Sequence, residues 1–345
     1  MSVDTPFFCS IHFGCSDIVT EGICGMLSSE EIKHFEDYGY LARSNAFDPE
    51  EVIDPIIKEY EGVLENLADI LFKKGTISST YESLEFGERV TSIYEESKQI
   101  HNQFFDFSLP QKGITKDTPF WAGPAVFNAL INPDILDIVQ SIVGTEIASN
   151  PVQHVRVKVP ESRAPRDSQG NVMYGATPWH QDLGVVTEEA DQTDMLTVWF
   201  PLMDTDEENG CLQVLPGSHK GEVMTHCPGA QGVQIPGVLL ASKTARAIPL
   251  KKGDILLLNK KTIHSALPNM SSRIRWSFDL RYQPVGQPTG RNKFPEFVAR
   301  SRSNPSTELR DATEWAHMWE ATRNRLAEEE DPSYNRWDPE HILCA

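Results

Sequence analysis

Between residues 28 and 145 the apolar positions recur at steps of three and four, a spacing typical of amphipathic helices. The clearest helix is predicted to begin at Asp48-Pro49, an N-cap candidate followed by proline at the first helical position. It is predicted to end at Gly75. Its apolar face comprises Val52, Ile53, Ile56, Ile57, Tyr60, Val63, Leu64, Leu67, Ile70 and Leu71.

Shorter helices are predicted on either side of this one. Ser28 is followed three residues later by Glu31, the spacing of a capping box, and the helix that this pair predicts ends at Gly39. Segments 86–105 and 132–143 also show a helical period. We expect these helices to form a scaffold rather than a site.

After Gly144 the apolar positions alternate with polar ones, which is typical of β-strands. Residues 161–177 form a polar loop rich in glycine and proline, and helical spacing returns at 307–328. Short strands with frequent turns favour a β-sandwich or a closed jelly roll. The predicted strands are 151–159, 195–202, 211–215, 247–250, 253–258 and 274–282.

This order of elements has no internal repeat and predicts one α+β catalytic domain over residues 1–345. Residues 1–145 are predicted to form a mainly helical jacket and 146–285 a jelly-roll core. Residues 286–345 are predicted to form a C-terminal helical tail that could act as a lid. Residues 1–26 have no clear period, and we expect a capping arm or a partly disordered segment there.

Composition narrows the possible partners. The chain has 345 residues and a net charge of −19, whereas nucleic-acid binders usually present a basic face. No signal peptide is evident, and we expect no apolar run of the roughly 20 residues that a membrane helix needs. The six cysteines have no CxxC spacing and predict reduced thiols. We therefore expect a cytoplasmic protein with a small-molecule substrate and neither a nucleic-acid nor a membrane partner.

Candidate chemistry is found in the segment Thr177-Pro-Trp-His-Gln-Asp182. His180 and Asp182 are two residues apart, so on an extended strand their side chains point to one face. They supply two thirds of the two-histidine, one-carboxylate set that holds non-haem Fe(II) and leaves three coordination positions open. An HxD pair alone is a weak signal, because many chains contain one by chance.

The second histidine is predicted to be His264. It follows the apolar strand 255–258, and we expect the end of that strand to lie at the mouth of a sheet. Arg275 stands eleven residues further on, and its guanidinium suits a carboxylate. A ligand that chelates iron at one end and carries a carboxylate at the other would be held twice, and 2-oxoglutarate has this chemistry.

Together with further segments, these residues resemble the phytanoyl-CoA dioxygenase family over 28–285, and best over 151–285. The resemblance implies a double-stranded β-helix core, flanking helices at both ends, and an Fe(II)/2-oxoglutarate-dependent oxygenase that uses O2. It also implies iron ligation by His180, Asp182 and His264, and 2-oxoglutarate binding by Arg275. The segments that carry it are Trp179-His-Gln-Asp182, Thr197-Val-Trp-Phe-Pro-Leu202 and Asn209-Gly-Cys-Leu-Gln-Val-Leu-Pro-Gly-Ser-His219.

The resemblance extends to the walls of the cosubstrate pocket. Trp199 stands where the family places an aromatic ring against 2-oxoglutarate, and Gln153 lies on the strand that lines this pocket. Thr197 and Ser277 are candidate hydroxyl donors to the carboxylates of 2-oxoglutarate. Ala266 stands where some members have serine, so this chain lacks one polar contact.

Related halogenases replace the ligand carboxylate by glycine or alanine, so the presence of Asp182 favours hydroxylation, desaturation or oxidative cyclisation. We expect oxidation of an unactivated C–H bond in a small, carboxylate-bearing metabolite, with release of succinate and CO2. Two alternatives stay open. One is an acyl-CoA 2-hydroxylase, and the other is a non-catalytic, metal-binding jelly roll that senses a metabolite.

Several segments are candidate lids over the predicted site. They are the loops 161–177, 183–194 and 222–245, and the tail helix that carries Trp315 and Trp319. Three basic residues, Arg156, Lys158 and Arg281, lie on strands near the predicted mouth, where a surface role is favoured over substrate binding.

Overall fold

The computed structural model describes residues 25–229, 232–240, 243–332, 334 and 336–344. The predicted N-terminal arm lies outside these residues, except for Gly25 and Met26. The helices are α1 (Ser29–Tyr38), α2 (Pro49–Lys73), α3 (Phe86–Ser97), α4 (Pro124–Leu130), α5 (Pro133–Val143) and α6 (Ala312–Leu326). The strands are β1 (Tyr40–Arg43), β2 (Glu146–Lys158), β3 (Leu196–Pro201), β4 (Leu212–Val214), β5 (Cys227–Gly229), β6 (Gly232–Gln234), β7 (Arg246–Ile248), β8 (Ile255–Asn259), β9 (His264–Ala266), β10 (Arg275–Pro284) and β11 (Phe297–Ser301).

The strands form a six-stranded sheet in the order β1-β8-β3-β10-β2-β11 and a three-stranded sheet in the order β7-β4-β9. A separate hairpin joins β5 to β6. The pairings are antiparallel, so the predicted combination of helices with antiparallel sheets is confirmed. Because β10 lies between β3 and β2, three segments that are far apart in sequence run side by side.

The two faces of the large sheet have different partners. On β3, Val198 and Phe200 belong to the main core, where the sheet packs against the helices. Trp199 points the other way, into a smaller apolar layer between the two sheets. That layer also contains Tyr40, Leu212, Val214, Ile248, Leu250, Leu256, Leu258 and Ala266. The space between the sheets is therefore the place where polar side chains of β3 and β10 can meet.

Three of the predicted helix ends in the N-terminal part are confirmed, those at Ser28, Gly39 and Asp48. The Ser28 hydroxyl accepts from the amide of Glu31 at 3.2 Å, and the Glu31 carboxylate accepts from the amide of Ser28 at 2.8 Å. Gly39 ends α1 in the left-handed region with φ +79. Asp48 caps α2 by accepting from the amide of Glu50 at 2.9 Å. Each cap satisfies a backbone group that a helix end leaves unpaired.

The structure differs from the helical predictions at three places. The helix predicted over 86–105 ends at Ser97, because Lys98 adopts a left-handed conformation with φ 56. No pattern predicts α4, since seven residues are too few to show a period. Trp315 and Trp319 of α6 are buried in the main core rather than over a cavity, so these two residues do not form a lid.

One apolar stretch is longer than the sequence pattern indicates. Pro124–Val143 is long and apolar enough, by length and composition alone, to cross a membrane, and 50% of its most apolar window is buried within the fold. The expectation that no such run exists is therefore wrong. The stretch consists of α4 and α5, and residues such as Phe127 and Ile135 lie in the main core.

A disulfide joins two of the six cysteines. Cys227 on β5 is bonded to Cys344, which lies 117 residues further along the chain. Among the cysteines that the structure describes, Cys211 is free and buried. The prediction of reduced thiols is wrong for the bonded pair, because sequence spacing does not reveal that the tail folds back onto β5. Disulfides are uncommon in cytosolic proteins, so the bond also weighs against the predicted cytoplasmic location.

Gly39→Ala should destabilise the protein by about 2–4 kcal/mol, through left-handed strain and overpacking. A Cβ at this position would lie 2.3 Å from Nδ1 of His219 and 2.6 Å from Oγ1 of Thr262. Gly62→Ala is the matched control: it lies inside α2 with open space around it and should stabilise by about 0.5–1 kcal/mol. Urea unfolding measures both, and equal midpoints for the two variants would contradict the prediction.

Candidate metal centre

Two histidines and an aspartate meet between the two sheets. One donor atom from each of His180, Asp182 and His264 lies within 4.8 Å of the other two. The Nε2 atoms of His180 and His264 are 3.7 and 4.0 Å from Oδ1 of Asp182. The structure thus brings together the three residues that the sequence nominates. In the described part of the chain, no other cluster of histidine, cysteine and acidic side chains has this geometry.

Backbone pairing holds the two histidines side by side. The amide of each donates to the carbonyl of the other, with N–O distances of 3.0 Å. His264 follows β8, as predicted, but it begins a separate strand, β9 of the small sheet, which the sequence did not predict. His180 lies in an isolated bridge instead of a strand, and Asp182 begins a 3-10 turn. Their side chains still converge, because Gln181 between them is extended, with φ −115 and ψ 139.

Both imidazoles present Nε2 to the centre. Nδ1 of His180 is 2.8 Å from the carbonyl of Pro178, and Nδ1 of His264 is 3.0 Å from the carbonyl of Thr262. Since a carbonyl only accepts, Nδ1 carries the proton and Nε2 keeps the lone pair that a metal needs. Burial, with a further contribution from His264, lowers the pKa of His180 well below 6.5, so this ring is neutral near pH 7.

Asp182 is fully buried and has two partners besides the histidines. Arg281 donates to its Oδ1 in an ion pair, and the Thr197 hydroxyl donates to its Oδ2 at 2.5 Å. Burial by itself raises the pKa of Asp182, but Arg281 and the two histidines outweigh burial and lower that pKa below its ordinary value. The carboxylate is therefore ionised, as a metal ligand must be.

Arg281 is the partner that the sequence analysis missed. It was expected at the surface, but it is 2% exposed and also donates to the carbonyl of Val152 at 2.5 Å. A signal for it exists in β10, where polar residues occupy every second position opposite an apolar face. The polar positions are Arg275, Ser277, Asp279 and Arg281, and the apolar ones are Trp276, Phe278, Leu280 and Tyr282.

A narrow slot beside the centre is lined in part by Trp199 and Arg275. Arg275 is buried, and its Nη1 donates to the Ser277 hydroxyl at 2.6 Å. Its Nε and Nη2 are buried and make no hydrogen bond within the described residues. The guanidinium carbon lies 5.9 Å from the centre of the Trp199 ring. The three predicted cosubstrate residues Arg275, Ser277 and Trp199 are thus adjacent, with two guanidinium nitrogens unpaired.

Two more basic side chains lie near this slot. Lys158 is buried and donates to the carbonyl of Gly175 at 2.6 Å, so the surface role favoured for it is wrong. Arg156 lines the slot, 3.9 Å from the carboxylate of Asp279. Burial, and then Arg156, lower the pKa of Arg275 to about 10. An anionic ligand in the slot would offset this concentration of positive charge.

A larger cavity of about 650 Å³ opens beside His180 and Arg281. Val152 and His154 of β2 line it, as residues of one strand face do. Gln153 is predicted to line the cosubstrate pocket, but it lines neither cavity, because the alternation along β2 turns its side chain to the opposite face. The predicted role of Gln153 in cosubstrate binding therefore has no support from the lining of either cavity.

The end of the chain closes part of this cavity. Tyr334 lines it together with the β5-β6 hairpin, which lies in the predicted lid loop 222–245. Beyond Tyr334, Arg336 forms an ion pair with Asp191 at 2.5 Å, and the indole of Trp337 donates to the carbonyl of Gly184 at 2.6 Å. The tail is thus attached to the segment that follows Asp182, and no local pattern in the sequence indicates this contact.

His226 is not one of the three clustered residues, but it is hydrogen-bonded to the backbone between two of them. Its Nε2 accepts from the amide of Gln181, between the two HxD ligands, at 2.9 Å. Its ring stacks on Trp337 with centres 5.0 Å apart. Burial lowers the pKa of His226 to about 4, so the ring is neutral and can accept this bond. A histidine in a loop carries no signal for such a role.

Comparison with known proteins agrees with this geometry. The family model described as "Phytanoyl-CoA dioxygenase (PhyH)" matches residues 35–277 and confirms the resemblance indicated by the motifs. A phytanoyl-CoA dioxygenase of Arabidopsis thaliana is 24% identical over 270 residues, covering 75% of this chain and 89% of the relative. A probable alpha-ketoglutarate-dependent hypophosphite dioxygenase of Stutzerimonas stutzeri is 27% identical over 213 residues, covering 55% and 69%. Among solved structures, the non-haem monooxygenase ThoJ shares the fold, with a TM-score of 0.53 at 16% identity, covering 86% of this chain and 97% of ThoJ.

Arg281→Met should destabilise the protein by about 3–5 kcal/mol in the presence of a chelator, because it leaves the Asp182 carboxylate buried without its cation. Ni(II) should restore more stability to this variant than it adds to the wild type, since the metal replaces the lost positive charge. Arg302→Met, at an exposed position, should change stability by less than about 0.5 kcal/mol. Chemical unfolding with EDTA or Ni(II) is the measurement, and a fully stable Arg281→Met protein in EDTA would refute the role given to the pair.

Proposed function

Because the chain belongs to the phytanoyl-CoA dioxygenase family of non-haem iron, 2-oxoglutarate-dependent oxygenases, we propose that it oxidises an unactivated C–H bond of a small, carboxylate-bearing metabolite. The reaction consumes O2 and 2-oxoglutarate and releases succinate and CO2. Hydroxylation, desaturation and oxidative cyclisation all fit an intact two-histidine, one-carboxylate set. We also propose that the two facing antiparallel sheets form the double-stranded β-helix of this family, which the fold shared with ThoJ supports.

One observation carries the proposal: a cluster of metal-binding atoms lies beside a buried guanidinium with unpaired nitrogens. His180, Asp182 and His264 are proposed to hold iron through Nε2, a carboxylate oxygen and Nε2. Iron bound there supplies the oxidising chemistry, driven by decarboxylation of 2-oxoglutarate. Arg275 is proposed to bind the far carboxylate of 2-oxoglutarate through Nε and Nη2.

The residues next to the proposed iron and 2-oxoglutarate ligands hold those ligands in a fixed orientation. Ser277 accepts from Arg275 and fixes the direction of its guanidinium, and Trp199 forms a wall of the slot. Thr197 donates to Asp182, so we assign it to holding the carboxylate rather than to contact with 2-oxoglutarate. Arg281 holds the same carboxylate from the other side. The group that holds the iron is therefore set in place before any ligand binds.

The slot has room for 2-oxoglutarate only if side chains move, because its free space is about 20 Å³. Arg156 is the side chain with the most freedom: it lines both cavities and has weak partners, at 3.3 Å from the Tyr174 hydroxyl and 3.9 Å from Asp279. Its displacement would open the slot towards the larger cavity. The substrate in that cavity and the cosubstrate in the slot would then be neighbours across Arg156.

An acyl-CoA 2-hydroxylase is the second candidate. The Arabidopsis relative is named for an acyl-CoA substrate, and guanidinium groups line the large cavity. The two functions can be separated by measuring 2-oxoglutarate consumption in the presence of free acids and of their CoA thioesters. Stimulation by the free acids supports the first function, and stimulation by the thioesters supports the acyl-CoA 2-hydroxylase. Metabolite binding without any succinate release would instead indicate the non-catalytic sensor.

His180→Ala should abolish both the weak visible charge-transfer band of the Fe(II)–2-oxoglutarate protein under anaerobic conditions and succinate release in air. The variant removes one of the three proposed iron ligands. His317→Ala removes an exposed histidine on α6 and should keep both signals. If His180→Ala behaves like His317→Ala, the proposed iron site is wrong.

Arg275→Met should weaken 2-oxoglutarate binding by about 2–5 kcal/mol while leaving iron binding intact, because it removes a buried charge-assisted contact. Titration of the anaerobic Fe(II) protein with 2-oxoglutarate gives the affinity, and metal analysis gives the iron content. Arg310→Met changes an exposed arginine and serves as the control. An unchanged affinity in Arg275→Met would exclude this residue from the cosubstrate site.

A further inference from the structure

The large cavity carries positive charge although the chain as a whole carries −19. Among its lining residues in the described part of the chain, Arg156, Arg281 and Arg291 contribute buried or half-buried guanidinium groups. Asp106 is the acidic lining residue, and it is bonded to His154 at 2.8 Å. A concave site with an excess of one charge favours ligands of the opposite charge.

These three guanidinium groups are not equivalent. Arg281 is paired with Asp182, and Arg156 lies near Asp279. Arg291 is 2% exposed and forms no ion pair with an acidic side chain of the described residues. The titratable side chains that influence it are Arg281, which is a cation, and Tyr334, whose pKa burial raises to about 12, so that it is neutral near pH 7. Buried charges in proteins are normally paired, because removing an ion from water is costly. Arg291 is therefore the cation of this cavity that has no acidic partner among the residues that the structure describes.

The hydrogen bonds of Arg291 leave part of its guanidinium group without a partner among the described residues. Nη2 donates to the carbonyl of Val185 at 2.7 Å, and the guanidinium carbon lies 4.7 Å from the centre of the Tyr334 ring. Nε is buried and makes no hydrogen bond within the described residues. Burial, with Arg281 nearby, lowers the pKa of Arg291 to about 10, so the group stays charged at neutral pH.

The backbone around Arg291 is fixed. Gly290 has φ +72, and a Cβ there would lie 2.5 Å from Cβ of Val186. The carbonyl of Gly290 accepts from the amide of Thr187 at 3.2 Å, and the amide of Arg291 donates to the Thr289 hydroxyl at 3.1 Å. This loop is packed directly against the segment that follows Asp182. Arg291 is thus held in position before a ligand arrives, which lowers the entropic cost of binding.

We propose that Arg291 binds the carboxylate of the substrate and thereby selects which C–H bond faces the metal centre. This assignment rests on the proposed function, because it takes the large cavity as the substrate site. Arg275 is assigned to the slot, Arg281 is paired with Asp182, and Arg156 has the carboxylate of Asp279 at 3.9 Å. Arg291 is therefore the guanidinium of this cavity without an acidic partner among the described residues. The apolar lining, which includes Leu109, Val152 and Val233, contacts the body of the substrate.

Binding can be tested without turnover. The protein is loaded with Ni(II) and N-oxalylglycine, an unreactive analogue that occupies the 2-oxoglutarate slot. Calorimetric titration then uses straight-chain, branched and aromatic monocarboxylic acids that fit a cavity of about 650 Å³, each paired with its primary amide. Acids should bind at least about 30-fold more tightly than their amides, which corresponds to 2 kcal/mol at 1.4 kcal/mol per decade. Equal binding of acids and amides, or no binding by any acid, overturns the proposal.

The matched variants are Arg291→Met and Arg323→Met. Arg323 also lies over an aromatic ring, 5.3 Å from Phe120, and its Nε is also buried and unpaired, but it does not line the cavity. Arg291→Met should lose at least about 30-fold in acid affinity and keep its weak amide affinity, whereas Arg323→Met should bind acids as the wild type does. Unchanged acid affinity in Arg291→Met overturns the proposal.

Stability separates a binding role from a structural one. Removal of an unpaired buried cation should leave the melting temperature of the ligand-free protein unchanged or higher. A fall in melting temperature as large as that of Arg281→Met would show that Arg291 is structural and would overturn the proposal. Failure of 2-oxoglutarate consumption while acids still bind through Arg291 would refute the proposed function and leave this inference standing.

Discussion

The metal centre and the strands around it depend on one carboxylate, that of Asp182, which must stay ionised although it is fully buried. Asp182 is fully buried, and burial alone would favour its neutral form. Arg281 from β10, Thr197 from β3 and two histidines counter this cost. These partners come from both sheets, so the electrostatic requirement of one side chain also ties the two halves of the fold together.

The same strands serve the core and the site because their side chains alternate. On β10, Trp276 and Phe278 pack in the main core, while Arg275 and Asp279 line the slot. A polar, highly charged region can therefore adjoin the hydrophobic core without interrupting it. Ion pairs meet part of the cost of burying these charges, as between Arg281 and Asp182. Arg275 and Arg291 lack acidic partners in the described part of the chain, and each lies where an anion is proposed to bind.

The C-terminal segment connects the site to the rest of the chain. Tyr334 lines the large cavity, and Trp337 stacks on His226, whose imidazole accepts from the amide between His180 and Asp182. The disulfide to Cys227 then attaches the end of the tail to the hairpin on the same cavity. The shape of the cavity thus depends on residues beyond position 330, which are distant in sequence from all three residues of the metal centre.

The sequence alone determined the local elements and the chemical class. Helix ends such as Ser28 and Gly39, the strands β2, β3, β4, β7, β8 and β10, and the three residues of the metal centre follow from capping, alternation and the HxD spacing, because each depends on neighbours in the chain or on a family motif. Only the tertiary structure decided which polar side chains meet. Arg281 and Arg291, the orientation of Gln153 and the Cys227–Cys344 bond depend on contacts between distant segments, whose register and direction no local period encodes.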